Sequence, residues 1–65
     1  MTLAHAYRAL EEIEKRERHI VLVVGLVDRT RDRTEAARLL RIANEIRQEA
    51  REIADRATLA LTAGR

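Results

Sequence analysis

Between Ala36 and Ala60 the apolar residues Ala36, Leu39, Ala43, Ile46, Ala50, Ile53, Ala57 and Ala60 recur at gaps that alternate between three and four. That spacing is the seam of an α-helix with one face pressed against a partner, sustained for about four heptads. Thr34 offers a hydroxyl N-cap, Glu35 places a carboxylate in the first turn, and good helix formers continue to Ala63, with Gly64 available as the stop. The helix so predicted, residues 35–63, is about 43 Å long at 1.5 Å per residue. Five of its eight seam residues are alanine, so it is expected to approach its partner closely and to take large side chains from across.

The first half carries a similar seam. Thr2 can cap, and Leu3, Ala6, Leu10, Ile13, Glu17, Ile20, Val24 and Val27 keep the three-four spacing, with Glu17 as the one charged member. Two readings of Glu17 follow: it snorkels out beside Arg16 or Arg47, or it makes a buried polar contact that fixes register or partner number. The segment 20–27, Ile-Val-Leu-Val-Val-Gly-Leu-Val, pulls another way. It is apolar on every face and holds all four valines of the chain, the composition of a strand buried on both sides. Against a strand, residues 14–19 contain no Gly, Pro, Asn or Asp to make the turn it needs. A lone strand would also expose both backbone edges unless other chains paired with it. The expectation is a helix over 3–27; the competing one is an α-β-α chain with residues 20–27 as a strand paired between chains.

Residues 28–33, Asp-Arg-Thr-Arg-Asp-Arg, contain no apolar member and read as a short connection, which makes the helices antiparallel neighbours. The predicted fold is thus a single all-α domain over 1–65, an antiparallel hairpin. Its seams pair in reverse order, from Val27 beside Ala36, through Ile20 beside Ala43, to Leu3 beside Ala60.

Such a hairpin is short of core. The chain has 65 residues and no cysteine, eleven of its thirty apolar residues are alanine, and Tyr7 is its one aromatic. Below about 70–80 residues one core rarely supplies more than about 3–5 kcal/mol without a staple or a second copy. Tyr7, Val21, Leu22, Val23, Leu26, Leu40, Ile42, Leu59 and Leu61 all lie off the predicted seams, and exposed apolar surface on that scale marks an interface. The expected interface between copies is Ile20, Val21, Val23, Val24, Gly25, Leu26, Val27, Leu40 and Ile42, where loop ends meet in a helical-bundle homo-oligomer. Gly25 is assigned a packing role there, allowing close backbone approach at a helix crossing.

Chemistry is not expected. Serine and cysteine are absent, and no carboxylate is placed beside a histidine in a nucleophile-base arrangement. His5 and His19 lie about 21 Å apart along a helix, too far to share a metal within one chain. The glutamates include no Glu-x-x-His pair of the di-iron type. No enzymatic activity, cofactor, metal or small-molecule substrate is therefore expected. Net charge is only +2, with twelve Arg and one Lys against eight Glu and three Asp, and the signs are interspersed. That argues against nucleic acid as a partner, as does the lack of any aromatic stacking platform. The longest apolar run is eight residues, less than half a membrane span, and no targeting signal is seen, so a cytoplasmic chain is expected. The pairs Arg8–Glu12, Glu12–Arg16, Glu14–Arg18, Arg41–Glu45 and Glu52–Arg56 have the spacing of solvated ion pairs along a helix.

With its threonine caps at 2 and 34, its Glu/Arg/Ala/Leu surface over residues 35–63 and its missing residue types, the chain resembles computationally designed, self-assembling helical proteins. The resemblance implies a scaffold that associates with itself and carries no catalytic residues. Two features depart from it: Arg replaces the usual Lys, and the turn lacks Gly and Pro. Both suit a natural chain from an arginine-rich proteome, for which the expected role is an interaction module binding a partner helix or nucleic acid.

Overall fold

The computed structural model describes residues 2–63. Two helices make up nearly all of it, α1 over Leu3–Arg29 and α2 over Arg33–Ala63, packed antiparallel along their whole length. Residues 20–27 continue α1 without a break, and no strand occurs among the described residues. The helix satisfies every backbone group of this apolar segment internally, whereas a strand would have needed a second chain on each edge.

Both ends of α1 and the start of α2 are closed by identifiable groups. The Thr2 hydroxyl accepts from the His5 N–H at 3.3 Å, capping α1. At the other end Thr30 turns to extended backbone (φ −86°, ψ 142°), and its N–H is shared between the carbonyls of Leu26 at 3.0 Å and Val27 at 3.3 Å. The cap of α2 is not Thr34. The Asp32 carboxylate accepts from the Thr34 N–H at 2.9 Å, and the Asp32 carbonyl accepts from the Ala36 N–H at 2.9 Å. The helix therefore begins two residues earlier than Thr34 would place it, and Thr34 lies inside its first turn. The connection shrinks from the expected six residues to three, 30–32. No residue in it has positive φ, which is why the turn works without glycine. The expected stop at Gly64 lies outside the described residues.

The α2 seam is where its spacing puts it: Ala43 and Ile46 are buried, at 0% and 7% exposure, and the other six seam positions are half-buried. The α1 seam differs from expectation. Its inward face is Ala6, Ala9, Ile13, Arg16, Ile20, Val23 and Val27; Leu3, Leu10 and Glu17 are exposed, and Val24 sits at the edge. The two frames share Ala6, Ile13, Ile20 and Val27 and differ by one residue at alternate positions. The observed frame presents small Ala9 to the alanine-rich α2 where the other would present Leu10. At the charged position it uses Arg16, whose long stem can lie along apolar surface while its head reaches out. Val23, 5% exposed, Ala43 and Ile46 form the core, with Ile20, Val24, Leu39 and Ile42 against it. Ile20 thus packs on the cluster that holds Ala43, whereas the expected pairing of Leu3 with Ala60 is lost with Leu3 exposed.

Three buried side chains are a small core, and the shape reflects it. The hairpin measures 51 × 15 × 9 Å with a radius of gyration of 15.1 Å, against about 11 Å for a compact chain of this length.

Candidate interaction face

Burial of the seams divides the hairpin into two long faces of different character. On one face Arg16 reaches across the seam. Its Nη1 donates to Glu12 Oε2 at 2.8 Å and its Nε to Glu49 Oε2 at 3.3 Å, while Lys15 Nζ stands 3.7 Å from Glu12 Oε1. Lys15, Arg16 and Glu49 share a groove with His19, Ile42, Glu45 and Ile46. Nearer the loop Arg38 Nε donates to Glu35 Oε2 at 3.1 Å. Leu26 and Arg29 of α1 and the connecting Thr30 line a second groove there with Glu35, Arg38 and Leu39 of α2. Every ion pair among the described residues lies on this face. Its acids respond accordingly: the Arg16 hydrogen bond, helped by the charge of Lys15, holds the Glu12 carboxyl below the usual carboxylate range, and the Arg38 hydrogen bond does the same for Glu35. Arg16 and Arg38 are correspondingly held more firmly protonated by those carboxylates. Of the five intrahelical pairs expected from spacing, only Glu12–Arg16 forms an ion pair; Arg56 Nε instead donates to the Glu52 carbonyl.

The opposite face follows from helical periodicity, because the flanks of α1 and α2 not used by the charged face must lie together. On α1 it is a second three-four stripe, Leu3, Tyr7, Leu10, Glu14, Glu17, Val21 and Val24; on α2 it is Ala37, Leu40, Asn44, Arg47, Arg51, Ala54, Thr58 and Leu61. Its large side chains are open to solvent: Leu3 is 72% exposed, Val21 70% and Leu40 47%. Apolar residues occupy both ends of this face and charged ones only its middle. None of Glu14, Glu17, Arg47 and Arg51 takes part in an ion pair with another described residue; Arg47 Nη1 donates only to Asn44 Oδ1, at 3.3 Å.

The residues expected at an interface between copies therefore separate into groups. Val21, Val24 and Leu40 lie on this apolar face. Val23 is corrected: it is buried in the hairpin's own core and has no surface left to offer a second chain. Ile20, Val27 and Ile42 are half-buried in or beside the seam, and Leu26, half exposed, belongs to the charged face. Gly25 sits on the outer side of α1. A Cβ built there would meet nothing within 4 Å, so the hairpin itself gives it no packing role. Sequence reasoning missed Leu3 and Leu10 as exposed members, having assigned them to the seam. It also missed the four charges between the apolar ends.

Among the described residues no three His, Asp or Glu side chains are grouped to hold a metal ion, and no helix is long and apolar enough to cross a membrane. No family model, curated protein or solved structure matches the chain.

Proposed function

We propose that this chain is a self-associating structural unit, a helical hairpin that completes its core against further copies of itself and performs no catalysis. The observation that carries the reading is the second apolar stripe, set at seam spacing on a hairpin that buries only three side chains among its described residues. Surface area gives the scale. The chain exposes 5475 Å², against about 4,200 Å² for a folded monomer of its mass. A compact bundle of two copies would remove up to about 4,000 Å² from water in total, within the range of about 2,000–5,000 Å² typical of obligate dimers. The resemblance to designed helical proteins agrees with a scaffold role.

Native mass spectrometry and sedimentation equilibrium test this directly. The expected result is one discrete multiple of 7.5 kDa, reduced to a monomer with less helix by circular dichroism in Val21→Glu/Leu40→Glu. A native chain that is monomeric at tens of micromolar would overturn the proposal. Ill-defined association would favour a module that awaits a different partner helix.

A further inference from the structure

The charges on the apolar face select one way for two copies to meet, an inference that rests on the self-association just proposed. Glu14 and Glu17 sit near the middle of α1, and Arg47 and Arg51 near the middle of α2. In the register that sets Ile20 beside Ala43, Glu17 lies level with Arg47 and Glu14 with Arg51, each to within about 3 Å along the axis at 1.5 Å per residue. The hairpin therefore carries an acidic doublet on one helix and a basic doublet on the other, at the same height and flanked by apolar side chains above and below.

Two twofold arrangements bring such faces together. With the axis across the hairpin, loops point in opposite directions and α1 lies over the partner's α1, so acidic doublet meets acidic doublet and basic meets basic. With the axis along the hairpin, the loops share one end and α1 lies over the partner's α2. Each acidic doublet then faces a basic one, twice by symmetry, and Val21 faces the level of the partner's Leu40. Like charges set opposite one another cost several kcal/mol at an interface, whereas complementary ones fix register. We infer that the hairpin pairs with a second copy in this second way. The product is an antiparallel four-helix bundle with both loops at one end, in which Glu14 and Glu17 of each copy meet Arg47 and Arg51 of the other.

The absence of cysteine allows a single spin label at Arg31→Cys, in the loop, and double electron-electron resonance then reads the loop-to-loop distance. Interaxial spacings of about 8–10 Å plus the label arms give an expected separation below about 30 Å. A distance near the 51 Å length of the hairpin would overturn the arrangement while leaving self-association standing; a monomer with no dipolar coupling would overturn both. Charge reversal supplies an independent reading. Glu14→Arg/Glu17→Arg should weaken the dimer at least about tenfold, and adding Arg47→Glu/Arg51→Glu to the same chain should restore it. A reversal that leaves the dissociation constant unchanged would refute the charge register.

Discussion

Asp32 decides where α2 begins. Its carboxylate accepts from the second N–H of the helix, a donor that would otherwise depend on water, while its carbonyl accepts the first i→i−4 bond, from the fourth N–H. Glu35, three residues on, completes the sequence pattern of a capping box, but its carboxylate turns to Arg38 and leaves Asp32 as the effective cap. Thr34, just as attractive a cap by residue type, donates its own N–H to Asp32 instead. Replacing Asp32 by Ala should therefore cost about 1 kcal/mol in a urea titration, within the range of about 0.5–2 seen for caps, whereas Thr34→Ala should cost clearly less. Equal losses in the two variants would mean that the cap is shared.

Ala43 lies in the core between the two helices, with nothing of it left exposed. A methyl group fits there because Val23 and Ile20 fill the space from the other side. Ala43→Leu should push the helices apart and cost about 1–3 kcal/mol, while Ala4→Leu, on the exposed outer side of α1, should stay within about 0.5 kcal/mol. Comparing the two unfolding midpoints in urea separates close approach from a general dislike of leucine. The same element shows what was legible beforehand. The α2 seam could be read because a single spacing frame fits it and its outer positions are charged. α1 admits two frames, since residues 20–27 are apolar all round, and counting large apolar residues favours the wrong one through Leu3 and Leu10. What decides is α2. An alanine-rich helix wants a close neighbour, which Ala9 permits and Leu10 does not, and Arg16 has Glu12 one turn before it and Glu49 across from it. Once α1 is rotated to that frame, Leu3 and Leu10 turn outward and join Tyr7 and Val21 in the second stripe. That face was therefore hidden by the same error of one residue.

At the scale of the whole molecule, the charged face serves the fold, and the proposed association assigns the apolar face to a second copy. The charged face closes the hairpin through Arg16 and Glu49, a partly exposed pair of the kind that contributes little on its own. With three buried side chains beside it among the described residues, most of the apolar surface that could offset the entropy of ordering 27 and 31 helical residues lies on the other face, and under the proposed self-association it would be buried by a second copy. Folding and assembly should then be one transition, in which protein concentration acts as a ligand does. Taking about 0.7 kcal/mol of unfolding enthalpy per residue over two copies, a hundredfold increase in concentration should raise the thermal midpoint by on the order of 10 °C. Circular dichroism melts from micromolar to hundreds of micromolar would show this shift for the native chain. They should show none for Val21→Glu/Leu40→Glu, whose residual helix would melt at the same temperature at every concentration. A midpoint for the native chain that ignores concentration would mean that the seam alone sustains the hairpin, and the apolar face would then have to be explained without a second copy.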